Sequence, residues 1–577
     1  MSGRAPVSGR PRRGSVLPAR AALVLVGAVL LLFLFWPLAE TIRGAVVDLN
    51  GRFTGAYLWG VFQDPLLREG FYNALTLTVC ATALATAVGV GIALLLDRCD
   101  FPGKGWLAVL VPLPLMIPPF VGAIGIKQIL GQAGVLTAVL IALGVMNAAE
   151  PMDWLRAGRF PAVVGLTALH LYPIVYFNVA AALGNVNVEM EEAAATFGCR
   201  GWRQFRLITL PAILPSVFAA VSIVLIWGLT ELGVPLVCDY PRVTSVQIFN
   251  GLKNLGRNPF VYALVVVLLG TTVLLYAITR ALIGGSRGAA TSKGTRRRQP
   301  LRLDRVRGTL ATLALSLVVA MAALPNLAVV LLAFARDWYG TVLPVGVTLD
   351  HFRAAVGHDL VIPSIGNSLR YVTASTALDL LLGTAIAWLV VRTRSRWARV
   401  IDACAMLPLA VPGLVMAFGY LAITRDGRPL SFLNPARDPT MLLVIAYAIR
   451  RLPFVVRSAT AGLRQISVTL EEAAASLGAG PLRAFARVTL PLLAPHLLAG
   501  GIFTFALSML EVSDSLILAQ RQVTYPVTKA IYELLLLPGD GRQLAAALGF
   551  WSMLFLISAL AFAGSVTGRK AKNMFRI

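Results

Sequence analysis

Six carboxylates recur in register along this sequence. Glu191 and Glu192 open the stretch Glu191-Glu192-Ala193-Ala194-Ala195-Thr196-Phe197-Gly198, and nine residues later comes Ile208-Thr209-Leu210-Pro211. Glu471 and Glu472 open Glu471-Glu472-Ala473-Ala474-Ala475-Ser476-Leu477-Gly478, followed after nine residues by Val488-Thr489-Leu490-Pro491, an offset of 280 without a gap. Glu231 and Glu511 keep that offset and stand at the ends of apolar runs. Carboxylates so placed can neutralise a cation or make polar contacts with a partner. Catalysis is a poor fit. No HExxH, G-x-S-x-G or paired-carboxylate pattern falls in an apolar run. The five cysteines, Cys80, Cys99, Cys199, Cys238 and Cys404, have neither CxxC nor metal-ligand spacing. We therefore expect no catalytic residue and no metal site. The nucleotide-binding pattern G-x-x-x-x-G-K-[ST] is also absent.

The elements that carry these residues are set by hydropathy. The chain has 577 residues, 57% hydrophobic and 14% charged, with mean hydropathy +0.77. Apolar runs lie near 21–39, 72–96, 106–129, 161–184, 211–230 and 260–283, then near 309–335, 367–391, 399–423, 440–461, 491–512 and 544–566. Backbone in lipid must satisfy its own hydrogen bonds, so these runs are read as helices. The expectation is an all-α polytopic membrane protein of about twelve transmembrane helices, arranged as two parallel six-helix repeats. Residues 132–147 are apolar but short, and an interfacial or re-entrant helix suits them better than a span. The net charge of +24 gathers at particular ends of the runs, with no continuous basic face interleaved with aromatics. It speaks for a lipid bilayer and against nucleic acid.

Residues 1–20 form a basic N-terminus, and the run after them reads as an uncleaved first helix because no small-x-small cleavage site follows. Alternating sides from a cytoplasmic start puts Arg98, Lys104, Arg200, Arg203 and Arg206 inside. The basic run from Arg280 to Arg307, then Arg392, Arg394, Arg396 and Arg399, and finally Arg569, Lys570, Lys572 and Arg576 fall there too. The chain thus divides into a first half, 21–283, a basic linker rich in Gly, Ser and Thr, 284–308, a second half, 309–566, and a tail, 567–577. Both termini are expected in the cytoplasm.

Each repeated stretch falls in a cytoplasmic segment. Glu-Ala-Ala favours helix, and Gly198 and Gly478 suit a left-handed helix end. Arg203 with Phe205, and Arg483 with Phe485, suggest a short amphipathic helix with an aromatic and a positive face. Pro211 and Pro491 suit the first turn of the next span. The alternative is ordinary punctuation at a point of membrane re-entry, which two complete copies make less attractive.

The pattern Glu-Ala-Ala, three residues, Gly, nine residues, Ile or Val, one residue, Leu-Pro resembles the EAA loop of binding-protein-dependent ABC importer permeases. Two copies resemble a fused pair of permease halves of the type I fold. In size and layout the chain is most similar to the ferric-iron permeases, with fused thiamine and 2-aminoethylphosphonate permeases close by and polyamine also open as solute. The resemblance implies a dimer of cytoplasmic ATPase subunits that hold ATP and Mg, no cofactor on this chain, and a periplasmic or extracellular solute-binding protein. It places the chain in the bacterial inner membrane. It assigns Glu191, Glu192, Ala193, Ala194, Leu210 and Pro211, with Glu471, Glu472, Ala473, Ala474, Leu490 and Pro491, to the ATPase-coupling loops. Glu192 and Glu472 would contact the ATPase, and Gly198 and Gly478 would form the turns.

Within the spans, charged groups are costly and point to function. Glu231 and Glu511 either line a pathway for a cation or metal-bearing solute or sit in headgroup water. Asn73 and Asn367, at an offset of 294, are also pathway candidates, although hydrogen bonding between helices suits them well. Arg450 and Arg451 have only His170 and Leu171 opposite them in the first half. Snorkelling or carboxylate pairing explains them better than solute binding. The proline pairs Pro114 with Pro408 and Pro118 with Pro412 mark broken or kinked spans, either bordering a pathway or merely packing. A secondary transporter of the major facilitator type shares the twelve-helix plan, and Gly91, Asp97 and Arg98 echo its signature at the wrong spacing. An intramembrane enzyme finds no motif.

Overall fold

The computed structural model describes residues 16–48, 50–116, 118–252, 259–282, 300–393 and 395–567. Most of the basic N-terminus, much of the linker and nearly all of the tail lie outside the described residues. In the first half the long helices are α1 (Arg20–Val46), α2 (Pro65–Arg98), α3 (Pro119–Leu130), α4 (Trp154–Leu183), the short α5 (Val188–Thr196), α6 (Leu210–Thr230) and α7 (Phe260–Leu282). The second half repeats them as α8 (Arg305–Phe334), α9 (Val361–Arg392), α10 (Gly413–Ile423), α11 (Thr440–Gln465), α12 (Val468–Ser476), α13 (Leu490–Met509) and α14 (Gly541–Thr567).

Among the described residues ten helices are long and apolar enough to cross a membrane, or eleven if the bent pair Arg396–Leu409 and Gly413–Ile423 counts as one span. The remaining expected span, 440–461, is α11, which is long enough but carries Arg450, Arg451, Arg457 and Arg464. The run expected at 106–129 is not one straight helix. It breaks before Pro118 into Lys104–Leu110, a 3-10 turn at Leu113–Met116, and α3. The continuous apolar stretch runs instead from Pro119 to Ala142, so the short helix Val135–Ala142, expected to be interfacial or re-entrant, belongs to a candidate span. In the second half the matching break turns the chain by 106°. A proline removes a backbone donor and clashes with the preceding turn, which is why both breaks fall at prolines.

Side chains that satisfy free backbone N–H groups fix where the helices start. Asp64 accepts from Leu66 and Leu67 at the head of α2, Asp153 from Arg156 at α4, and Asp304 from Arg307 at α8.

The halves are interlocked. The first helix of each packs on the last helix of its own half and also on the other half: α1 against α7 and α10, α8 against α14 and α3. The two contacts use the same device. A Cβ on Gly125 would fall 1.8 Å from the carbonyl oxygen of Pro325, and one on Gly419 would fall 2.7 Å from that of Pro37. Glycine lets the backbones meet where no side chain would fit. Polar ties cross there too: Tyr420 Oη donates to the Phe33 carbonyl at 2.8 Å, Gln128 Nε2 to that of Trp338 at 2.7 Å, and Arg428 pairs with Glu40. Each of the two large buried apolar clusters draws residues from both halves.

Candidate functional site

Both repeated stretches lie at one end of the bundle, and both are built alike. Asn187 caps α5 by accepting from the Glu189 N–H, and Ser467 caps α12 through Thr469. Gly198 at φ 78° and Gly478 at φ 84° end these helices in the left-handed region. There the N–H groups of Cys199 and Ala479 reach back to the carbonyls of Ala194 and Ala474, at 2.9 and 3.0 Å. The chain then forms Gly201–Gln204 or Pro481–Ala484 and passes through a π turn, Phe205–Thr209 or Phe485–Thr489. It enters α6 or α13 directly, with Leu210-Pro211 and Leu490-Pro491 in the first turn. The short helix is therefore continuous with the span, and no break separates them.

The two glutamates of each pair do different things. Glu191 is buried, accepting from Arg98 Nη2 at 2.7 Å and from Thr209 Oγ1 at 2.5 Å. Glu471 accepts from Arg392 Nε at 3.0 Å and Thr489 Oγ1 at 2.9 Å. Arg98 and Arg392 are the last residues of α2 and α9. A glutamate–arginine–threonine knot thus ties each loop to the end of a neighbouring span. Glu192 and Glu472 face solvent, with Ala193 and Ala473 exposed beside them and Ala194 and Ala474 half-buried. The apolar side chains that project with them are Phe197 and Leu477, each 90% exposed, and Trp202 and Leu482, at 74% and 82%. The aromatics expected there, Phe205 and Phe485, are half-buried. Sequence reading missed the knot, although its signal is present: Arg98 and Arg392 share the offset of 294 with the asparagines, and Thr209 and Thr489 share the 280 of the glutamates.

Deeper in the bundle, Glu231 and Glu511 lie just past the ends of α6 and α13. Each carboxylate accepts from the backbone N–H three residues on, Val234 at 3.2 Å and Asp514 at 3.4 Å, and so caps the short helix that follows. Glu511 is not in headgroup water. It is buried, 2.6 Å from Arg451 Nη2 and 3.0 Å from Arg450 Nη1, and Arg450 is also 3.5 Å from Asp514. The arginines therefore pair with carboxylates and do not snorkel. Glu231 is half-buried. A Cβ on Gly233 would meet both Glu231 Oε1 and Val512 Cγ1 at 3.4 Å, so the two halves meet at this level. Asn73 and Asn367 do not join helix to helix. Asn73 Nδ2 donates to the Arg242 carbonyl at 2.9 Å and Asn367 Nδ2 to that of Val523 at 2.8 Å, fastening the starts of α2 and α9 to connecting segments. At the end opposite the loops, a cavity of ≈ 610 Å³ lies between the halves, with Lys127, Arg159, Asp239, Asp337 and Arg542 on its wall. Among the described residues no group of three or more His, Cys, Asp or Glu side chains is placed to hold a metal ion.

A doubled helical bundle with a doubled anchored loop at one end is the form of a multi-pass membrane transport subunit. Residues 89–288 and 379–566 match the family described as "Binding-protein-dependent transport system inner membrane component", and the chain belongs to that family. It is 28% identical over 506 residues to the probable ABC transporter permease protein y4fN of Sinorhizobium fredii, covering 85% of this chain and 86% of that protein. It is 25% identical over 500 residues to the Fe(3+)-transport system permease protein FbpB 2 of Haemophilus influenzae, covering 86% and 89%. To the thiamine transport system permease protein ThiP of Escherichia coli it is 24% identical over 468 residues, covering 78% and 79%. A chain from the crystal structure of a bacterial ABC transporter involved in the import of the acidic polysaccharide alginate aligns at 16% identity and a TM-score of 0.35, covering 46% of this chain and 98% of that one. The family excludes the major facilitator reading, and Arg98, part of that faint echo, is taken up by Glu191.

Proposed function

We propose that this chain forms both halves of the membrane pathway of an ATP-driven importer for ferric iron. In this reading an external binding protein delivers the solute, and a pair of ATPase subunits works the two anchored loops from the cytoplasm. The observation that carries the coupling is the pair of knots, Arg98–Glu191–Thr209 and Arg392–Glu471–Thr489. Through them, a push on the exposed faces at Glu192, Phe197 and Trp202, or Glu472, Leu477 and Leu482, reaches α2, α6, α9 and α13. ATP and Mg then belong to the partner subunits. In this reading both termini and the loops lie in the cytoplasm, and the cavity of ≈ 610 Å³ at the other end receives the solute from outside.

The solute is supported by two things. The relatives of comparable length include permeases named for ferric transport. Within the buried cluster deeper in the bundle, the carboxylates Glu231, Glu511 and Asp514 outnumber Arg450 and Arg451, which favours a cation over an anion at that level. The test is a mild-detergent pull-down of the chain from membranes. An ATPase subunit and a binding protein loaded with iron are expected. A binding protein that carries thiamine or a molybdenum oxyanion would refute the iron assignment alone. Recovery of the chain without an ATPase, in several detergents, would refute the coupling.

A further inference from the structure

Asp379 sits in the middle of α9, fully buried, and among the described residues neither of its carboxylate oxygens has a hydrogen-bond partner. A carboxylate left so in a low-dielectric interior is strongly unfavourable and is tolerated where a partner is at hand. The partner is given by the packing. α9 and α11 lie side by side: Tyr371 interacts with Thr440 at one end and Arg392 Nη2 donates to Ile466 at the other, so the helices run parallel. Between these points, Gly383 lies against Val455. One helical turn back along each helix from that contact places Asp379 beside Arg451. Arg451, however, points its Nη2 at Glu511, 2.6 Å away, and at the Leu507 carbonyl, 3.1 Å away.

The internal repeat marks the same two residues as additions of the second half. At the offset of 294 the first half has Ala85 where the second has Asp379, and at 280 it has Leu171 where the second has Arg451. Glu231 and Glu511 are kept in both. The second half thus adds two acids and two bases over the first, since Arg450 and Asp514 stand where the first half has His170 and Val234; Arg450 already reaches Asp514 at 3.5 Å, and Asp379 and Arg451 are the remaining two. Two further polar positions follow them. Thr504 and Ser508 on α13, buried and without a hydrogen-bond partner, correspond to Val224 and Gly228. The seam between α9, α11 and α13 carries these added polar groups on top of the buried threonines that both halves hold, and among the described residues it is incompletely satisfied as it stands.

We propose that Asp379 is the alternative carboxylate for Arg451, taking the guanidinium when Glu511 releases it and so positioning α11 against α9 in the other conformation of the transport cycle. Here Glu511 at the end of α13 holds the arginine. When that end moves away, the guanidinium turns to Asp379, and the buried charge stays paired throughout. The inference rests on the permease reading, since it needs a cycle with two conformations. Asp379 touches no solute in this scheme and acts as a positioning residue.

Two measurements on the full chain test it. In the first, the purified protein alone is melted in detergent. D379A leaves Tm unchanged or raised, because its carboxylate is unpaired in this conformation, whereas R451L lowers it by stranding part of the Glu511 network. A fall in Tm with D379A equal to that of R451L would overturn the proposal, since the pair would then already exist. In the second, ATP hydrolysis stimulated by the binding protein is measured in the copurified complex. D379A lowers it by at least about 100-fold, the lower end of the size expected for losing one partner of a buried ion pair from a single state of the cycle. The double variant D379A/R451L, which installs the pair found in the first half, recovers most of that loss. Unchanged turnover in D379A, or a double variant no better than D379A, would also overturn it. Absence of any stimulated hydrolysis in the natural chain counts against the permease reading, and the melting comparison then judges Asp379 by itself.

Discussion

Replacing Glu191 with alanine should unfasten the first loop without unfolding the bundle. Glu191 receives a charged hydrogen bond from Arg98 and a neutral one from Thr209, and its carboxylate is almost wholly buried while Arg98 is about one-fifth exposed. Removing one partner of a fully buried ion pair costs about 3–5 kcal/mol. Water reaching Arg98 lowers that, and about 2 kcal/mol is a fair value for this site. The free energy falls on the local equilibrium between fastened and loose loop, so the loose form rises by roughly 30-fold. Two assays read this. Amide exchange over residues 188–211 in the purified chain should accelerate by a similar factor, while α2 away from its end stays protected. ATPase-subunit binding should weaken in E191A, and E192A should leave the exchange pattern alone because Glu192 is exposed. Unchanged exchange over 188–211 in E191A would refute the knot as the fastening.

The exposed members of the loops give a second expectation: charge reversal at both Glu192 and Glu472 abolishes uptake while membrane levels of the chain stay constant, as read by transport assay and immunoblot. Truncating Phe197 and Trp202 together should weaken ATPase capture more than truncating Leu477 and Leu482, because aromatic anchors lose more contact area; equal losses in a binding titration would contradict this. G125A should destabilise more than G419A, since its methyl would lie 1.8 Å from a carbonyl oxygen against 2.7 Å. Overpacking of that kind costs about 1–3 kcal/mol or more, visible as a lower Tm.

Much of the architecture was legible because membrane helices announce themselves by hydropathy and the repeat fixes their correspondence. The proline pairs at 114 and 118, and at 408 and 412, carried the broken spans. The span at 106–129 was misplaced because hydropathy is blind to a break, and Gly131 read as an end where the chain goes on apolar to Ala142. In the loops, pattern identified the glutamates but not their division of labour. Glu191 and Glu192 are adjacent and chemically identical, and only the path of the helix turns one toward Arg98, 93 residues away in sequence. Glu511 was legible as a matched carboxylate, yet its pairing with Arg450 and Arg451 depends on α11 and α13 lying together, which no local pattern states. The asparagines were assigned to helix pairing because composition cannot tell a bond to a neighbouring span from a bond to the segment that follows one.

The exchanged first helices have a consequence for biogenesis. α1 leaves the ribosome long before α10, on which Pro37 and Phe33 rest and which begins only at Gly413. For most of synthesis the first span must wait in the lipid with a glycine-sized seat still to be made. The two halves cannot mature one after the other: the first is finished only when the second has been inserted. A chain stopped at the linker would leave α1 without α10 and α3 without α8. Two separately made halves, by contrast, would each complete the other, so cutting the linker after assembly should leave the bundle clasped.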